Sequence, residues 1–175
     1  QIRARMAELP AGTKVRQLTA ALSSSTRGQS MGGRIVDYVD HINVMIYDTY
    51  GTEEEGYPHA PMRVLKESLA GYAAKGVPNS KIIVGVPFYG GNKSVSPVVT
   101  QSYNTLCAMA GGAITASSNA YGGYAFNGVD LMQEKTQYVL DNGYAGLTIW
   151  ELSQDMPYDN PLSLLRAIKS VADIK

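Results

Sequence analysis

The chain has 175 residues, of which 45% are hydrophobic and 17% charged, and its 15 basic and 15 acidic residues give a formal net charge of zero. This composition predicts one globular domain or a large part of one, and the lack of a basic cluster argues against nucleic acid or an anionic membrane surface as a partner. A lone cysteine, Cys107, excludes an internal disulfide framework, no CxxC or HExxH spacing indicates zinc, and no apolar stretch approaches the roughly 20 residues of a membrane span.

The predicted elements alternate between short apolar runs and segments of helical period, a pattern typical of βα units around a parallel sheet. The tail of a helix over residues 2–9 comes first, and we expect the true start of the chain to lie upstream. Strands are predicted over 15–22, 42–47, 81–89 and 145–150. Helices are predicted over 60–75, where Pro61 suits the first position, over 130–142, and from Asn160-Pro161 to the end of the chain.

Residues 91–127 interrupt this rhythm because they are rich in Gly, Ser and Asn. We predict at most one short helix there, near 103–110. A segment of that length with little regular structure is uncommon in a compact domain. It is therefore interpreted as a site loop or a small insertion between the third strand and its helix.

The ends of the predicted strands carry the most informative side chains. The continuous apolar run 42–46 indicates a strand buried on both faces, yet it ends in Tyr47 and Asp48, and an unpaired carboxylate is costly to bury. The later strands end in Tyr89 and in Trp150-Glu151. Because the carboxyl ends of parallel strands meet on one rim, aromatic rings and carboxylates gather there. This mixture suits a carbohydrate cleft.

Several segments resemble glycoside hydrolase family 18, the chitinases and endo-β-N-acetylglucosaminidases. They are VMIYDTYG, KIIVGVPFYGG and FNGVDLMQEKTQYVLDNGYAGLTIWELSQD, in this order. The resemblance runs from residue 15 onward and implies an α/β fold, a (β/α)8 TIM barrel of which this chain supplies about the last four βα units. Residues 1–175 are then expected to be a single domain fragment, strands five to eight of the barrel, with a short insertion at about 91–127.

The resemblance also implies a chemistry: hydrolysis of β-1,4 linkages of N-acetylglucosamine polymers with retention, the substrate's own acetamide acting as nucleophile, and no metal or cofactor. The residues that match the family's pattern at the cleavage point are Tyr47 and Asp48, which are the expected catalytic residues. Met45 is expected to line the floor of the same subsite. Trp150 is expected to form its hydrophobic base.

Other site residues have two interpretations. Phe88 and Tyr89 are predicted to bind substrate, although packing explains them equally well. Glu151 is expected to have a structural role at the rim, but it would form a conventional retaining pair with Asp48 if the two carboxyls lay about 5 to 5.5 Å apart. His59 lies in a loop near the rim and is a weak site candidate.

One departure from the family's pattern bears on activity. The general acid of the family is the glutamate of D-x-x-D-x-D-x-E, which would lie upstream of this chain. Asp37 and Asp40 imitate the first two aspartates, but Ile42 and Val44 occupy the places of the third aspartate and the glutamate. We also regard the S-x-G-G match at residues 30–33 as accidental. The chain alone is therefore expected to be inactive and to need a missing amino-terminal half of the barrel as partner.

Two functions stay open at this point. One is a chitinase-like hydrolase whose acid lies in the missing half, and the other is a non-catalytic chitin- or glycan-binding, lectin-like relative. Both take an N-acetylglucosamine-containing oligosaccharide or polysaccharide. A secreted or periplasmic location is expected only because such substrates occur there. A half-barrel that pairs with a second copy of itself is a further possibility.

Overall fold

A computed structural model describes residues 1–8, 16–50 and 57–172. These ranges do not include residue 15, where the first strand was predicted to begin. They also do not include residues 9–12, where the first predicted helix ends and its stop lies. None of the helices within the described ranges combines the length and the hydrophobicity that a membrane span requires. The elements are, in chain order, α1 (Ile2–Ala7), β1 (Thr19–Ser23), α2 (Thr26–Ile35), β2 (His41–Met45), α3 (Met62–Ala73), β3 (Ile82–Pro87), β4 (Tyr89–Asn92), β5 (Val99–Ser102), α4 (Tyr103–Ala110), β6 (Ala120–Tyr121), β7 (Tyr124–Ala125), α5 (Val129–Asp141), β8 (Gly146–Trp150) and α6 (Leu164–Ala172).

A parallel sheet of four strands forms the frame of the molecule, with the spatial order β1-β2-β3-β8. Its neighbours follow the order of the chain, and the helices α2, α3, α5 and α6 come after successive strands. A sheet that adds parallel strands in sequence order is the arrangement of a (β/α) barrel. Four such units make an incomplete barrel.

Strand β2 buries one face more completely than the other. In β2 and the residue after it, Ile42, Val44 and Ile46 are fully buried, in a core cluster that also contains Leu65 and Leu69 of α3. The alternate residues of β2 are only partly buried. The prediction that run 42–46 is buried on both faces is therefore wrong for the described part of the chain, because the helices pack against one face.

Helix α2 was not predicted, because its sequence TRGQSMGGRI has three glycines and few apolar residues. Packing explains it: a Cβ at Gly32 would lie 2.6 Å from Cε1 of Tyr72 on α3, so only glycine lets the two helices approach this closely. The S-x-G-G segment 30–33 thus lies within a helix rather than at the end of a strand. This agrees with its interpretation as an accidental match.

The segment after β3, which was interpreted as a site loop or a small insertion, contains a second sheet that was not predicted. Strand β4 begins directly after Phe88, so the predicted strand 81–89 is divided between two sheets. The second sheet is antiparallel, with the order β5-β4-β7-β6. Its strands are two to four residues long and do not alternate clearly in sequence, which hid them. The predicted short helix is confirmed as α4.

Helix α6 starts later than the Asn160-Pro161 signature predicted. The side chain of Asn160 accepts from the amide of Leu162 in a preceding turn, at 2.8 Å. The helix begins at Leu164, where the amides of Leu164 and Leu165 donate to the two carboxylate oxygens of Asp155, at 2.8 and 2.9 Å. The hydroxyl of Ser163 also donates to Asp155, at 2.9 Å. Asp155 thus satisfies the start of α6 from outside the helix.

The substitution Asp155→Ala in the full-length polypeptide is expected to lower the free energy of unfolding by about 2 kcal/mol, because several donors lose a charged acceptor at once. Denaturant unfolding measures the change. Asp159→Ala, an exposed aspartate in the same loop, is the matched control and is expected to cost about 0.5 kcal/mol or less. Equal effects of the two substitutions would contradict the capping role of Asp155.

Candidate active site

Three of the six predicted site residues meet at the carboxyl ends of the parallel strands, whereas Met45, Tyr47 and Phe88 are not among the residues that line the cleft there. Asp48 follows β2, Tyr89 follows β3, and Trp150 ends β8. These three side chains line one open cleft of about 470 Å³. Asp40, which imitated the acid motif, lies at the other end of β2, where its carboxylate accepts from the amide of Leu18 at 2.6 Å. The remaining lining residues of the cleft are Thr100, Gln101, Ser102 and Gln154.

The carboxylate of Asp48 is held by two phenols. Its Oδ1 accepts from the hydroxyl of Tyr89 at 2.6 Å and from that of Tyr50 at 3.2 Å. Burial, followed by the neighbouring charge and hydrogen bond of Asp48, raises the pKa of both tyrosines above the ordinary value of 10, so both stay protonated and can donate. The backbone of Asp48 is left-handed, with φ of 57°. Such strain at a non-glycine residue concentrates at functional sites.

His59 fixes the backbone beneath this carboxylate. Its Nε2 lies 2.7 Å from the amide nitrogen of Asp48, which can only donate, so Nε2 is the acceptor and the ring is neutral. The proton is then on Nδ1, which donates to the backbone carbonyl of Tyr89 at 3.2 Å. Burial lowers the pKa of His59 to about 4. His59, a weak candidate from the sequence, therefore connects the two residues that define the cleft.

The ring of His59 lies between two aromatic neighbours. It stacks on Tyr50 with the ring centroids 4.5 Å apart, and it meets Tyr89 edge to face at 4.9 Å. Gly91 of β4 makes room for Tyr50, because a Cβ there would lie 2.2 Å from the tyrosine ring. Tyr50 was not predicted as a site residue, although its position two residues after Asp48 was a usable signal.

Behind His59 lies a buried lysine. Lys135 of α5 is fully buried, and its Nζ donates to Asn127 Oδ1 at 2.5 Å and to the carbonyl of Ala60 at 2.7 Å. Asn127, also fully buried, donates through Nδ2 to the carbonyl of His59. Burial lowers the pKa of Lys135 to about 7. The spacing of Lys135 from Met132 and Val139 places it on the apolar face of α5, which was the available sequence signal.

The aromatic residues of the predicted site differ in exposure. Trp150 is 56% exposed, so its ring offers a free apolar surface to the cleft. Tyr47 and Met45 are partly buried, and burial raises the pKa of Tyr47, with a further contribution from Asp48. The rings of Tyr47 and Tyr89 meet edge to face, with their centroids 6.4 Å apart.

Phe88 and Glu151, both considered for the site, do not line the cleft. Phe88 is fully buried within the core cluster formed with α4, α5 and α6, which leaves no ring face for a sugar, so we assign it to packing. Glu151 is exposed and accepts from the hydroxyl of Ser153 at 2.7 Å. No arginine in the described ranges lies within salt-bridge distance of it. Asp48 lines the cleft and Glu151 does not.

The model of the glycosyl hydrolases family 18 matches residues 1–155. Chitinase 63 of Streptomyces plicatus is 24% identical over 158 residues, which cover 70% of this chain and 26% of that protein. A family 18 chitinase from the chitin utilization locus of Flavobacterium johnsoniae is 30% identical with a TM-score of 0.73, over 89% of this chain and 50% of that one. A chitinase-like agglutinin from Robinia pseudoacacia has a TM-score of 0.69 at 21% identity, over 97% of this chain and 58% of that one.

The chain thus spans a quarter to somewhat more than half of the proteins it matches. The fold prediction is confirmed: the four parallel βα units are part of a TIM barrel. The likeness to the agglutinin shows the fold alone. With the family model extending over most of its length, the chain belongs to glycosyl hydrolase family 18.

Proposed function

We propose that this chain supplies one side of the active site of a chitinase-like hydrolase, which cleaves β-1,4 linkages of N-acetylglucosamine polymers with the substrate's acetamide as nucleophile. The observation that carries the proposal is the convergence of Asp48, Tyr89 and the exposed ring of Trp150 on one cleft at the carboxyl ends of the strands. A flat apolar base beside a carboxylate is what a sugar ring with a developing positive charge requires.

Each residue has a distinct role in this proposal. Tyr89 and Tyr50 donate to Oδ1 of Asp48, and we propose that Oδ2 contacts the substrate's acetamide. Tyr47 helps to hold the carbonyl of that acetamide. Trp150 is the hydrophobic base under the sugar at the cleavage point, and Met45 completes the floor.

The general acid comes from outside residues 1–175 in this proposal. The chain lacks the D-x-x-D-x-D-x-E pattern, and protonation of the leaving oxygen needs a carboxylic acid within hydrogen-bond reach. We therefore place residues 1–175 as strands five to eight of a barrel that the preceding half completes. The substrate class is the reason to propose a secreted or periplasmic protein.

The test is turnover of a fluorogenic chitobioside by the full-length polypeptide that contains this chain. The expected product retains the β configuration at the new anomeric centre, which proton NMR detects before mutarotation. Turnover with inversion would overturn the acetamide mechanism. Binding of chitin oligomers without any turnover would overturn the assignment as a hydrolase.

The second candidate is a glycan-binding protein that does not hydrolyse its ligand. It is considered because a chitinase-like agglutinin from Robinia pseudoacacia shares the fold, so this fold also occurs in a protein named as an agglutinin. In this case calorimetry with chitin oligomers detects binding, and the oligomers stay intact during prolonged incubation with the protein. The two candidates are therefore separated by whether the oligomer is intact after incubation.

A further inference from the structure

We propose that Lys135 is a positioning residue for the carboxylate of Asp48, acting through Asn127 and His59 on the peptide groups that orient Asp48 and Tyr89. The effect on turnover rests on the proposed hydrolase function. The effect on the geometry of His59 does not. The two can therefore fail separately.

Lys135 contacts the His59–Ala60 segment in two ways. Its Nζ donates directly to the carbonyl of Ala60, and through Asn127 it reaches the carbonyl of His59. Ala60 has a left-handed backbone with φ of 46°, and its amide donates to the carbonyl of Thr49 at 2.8 Å. A non-glycine residue keeps such a conformation only when its surroundings hold it. Lys135 supplies that hold from α5.

Hydrogen bonds also connect His59 to the cleft. Its ring accepts the amide of Asp48 and donates to the carbonyl of Tyr89, and the hydroxyl of Tyr89 returns to Asp48 Oδ1 at 2.6 Å. This closed ring of hydrogen bonds fixes the side chain of Asp48 relative to β4. A shift of the histidine would move both ends of the Asp48–Tyr89 contact together.

Packing alone does not require a lysine at position 135. Lys135 lies on a helix face whose neighbours Met132 and Val139 belong to apolar core clusters, where a methionine or leucine would fill the same volume. Burying an amine there costs free energy that only its oxygen acceptors offset. Both acceptors adjoin His59: Asn127 donates to its carbonyl, and Ala60 follows it in the sequence. The hydrogen bonds of the Lys135 amine therefore support the segment that carries His59 and not the packing of the core.

The chain offers a matched control in Lys81. Its Nζ also donates to two oxygens, the carbonyls of Val36 and Val39, at 2.6 and 3.0 Å. It precedes β3 and so lies at the opposite end of the sheet from Asp48. Lys81→Met and Lys135→Met therefore remove the same group and the same number of hydrogen bonds. They differ in position, because the hydrogen bonds of Lys135 connect through Asn127 and Ala60 to His59 beside the cleft, whereas those of Lys81 do not.

The experiment uses the full-length polypeptide with ¹⁵N-labelled histidine. In the unsubstituted protein, the nitrogens of His59 are expected to show the Nδ1–H tautomer and no titration above about pH 5. In Lys135→Met, we expect a mixture of tautomers and a higher titration midpoint. Lys81→Met is expected to leave both signals unchanged. Lys135→Gln, which keeps a shorter donor, is a second variant should the methionine fail to fold, and its signals are expected to lie between the two.

Turnover provides the second measurement. We expect kcat/KM for the chitobioside to fall at least tenfold in Lys135→Met and less than twofold in Lys81→Met. The proposal is overturned if Lys135→Met and Lys135→Gln leave the tautomer and titration of His59 as they are in the unsubstituted protein. Absence of turnover in the unsubstituted protein would refute the hydrolase assignment and leave the NMR result to decide the role of Lys135.

Discussion

Asp48→Asn is expected to lower kcat/KM for a chitobioside by a factor of about 10² to 10³, equivalent to about 3 to 4 kcal/mol of transition-state stabilisation. Asparagine is nearly the same size, tolerates a left-handed backbone better than most residues, and keeps an oxygen that can accept from Tyr89. The substitution therefore removes the charge and little else. In the proposed mechanism that charge stabilises the positive charge that develops on the sugar and acetamide.

Steady-state kinetics of the full-length polypeptide measures this effect, and denaturant unfolding shows whether the fold survives. We expect the free energy of unfolding to change by about 1 kcal/mol or less. The exposed Asp37, in the turn after α2, provides the control: Asp37→Asn is expected to leave kcat/KM within twofold of the original value. If Asp48→Asn also retained full turnover, Asp48 could not have the proposed catalytic role.

Lowering the pH from 7 to 4 is expected to remove about 3 kcal/mol of folding stability through His59 alone. The unfolded chain binds a proton at this histidine below about pH 6.5, whereas burial lowers its pKa to about 4 in the folded state. Between these values the unfolded state holds more protons, so stability rises with pH. The contribution is complete above pH 6.5 and is lost as the pH falls toward 4.

The surroundings of His59 support this direction. Lys135 lowers its pKa further, whereas Asp48 and the carbonyl of Tyr89 raise it, and burial is the largest of these influences. A protonated ring would also turn Nε2 into a donor that faces the amide of Asp48, which has no electron pair to offer. Acid therefore disrupts the same contact that orients the candidate catalytic carboxylate.

Unfolding measured at several pH values checks the prediction, with His59→Gln as the comparison. The variant is expected to be less stable at pH 7 but to lose about 3 kcal/mol less between pH 7 and 4. Parallel curves for the two proteins would show that other groups cause the acid sensitivity. The dependence of the free energy of unfolding on pH could then not be attributed to His59.

The apolar runs of the sequence predicted the central parallel strands because the core buries their branched side chains, at alternate positions in β2 and at most positions in β3. Ile42, Val44 and Ile82 lie where the pattern placed them. Helix α2 escaped prediction because its stability depends on a tertiary contact, the fit of Tyr72 against Gly32, rather than on an apolar stripe. The start of α6 was misplaced because its cap comes from Asp155, nine residues before the helix. A capping signature read from the residues next to the helix does not include so distant a residue.

The candidate site was predictable in part for the same reason. Side chains at strand ends, such as Asp48 and Trp150, follow from the strand assignment and the resemblance together. The supporting residues did not, because Lys135 and Asn127 are distant in sequence from Asp48 and belong to types that are usually exposed. Their role emerges only when α5 packs behind the loop that carries His59.

The small antiparallel sheet has a consequence for how this cleft can change. Strand β4 contributes Tyr89 at its base and is fixed there by the contact with Asp48, whereas residues 93–98, which connect β4 to β5, are exposed. The next residues along β5 return to the cleft as Thr100, Gln101 and Ser102. One wall of the cleft is thus set by a hairpin whose tip is not involved in the hydrogen bonds around Asp48. In the proposed hydrolase, substitutions in that tip and wall can therefore alter substrate preference without changing the hydrogen bonds around Asp48.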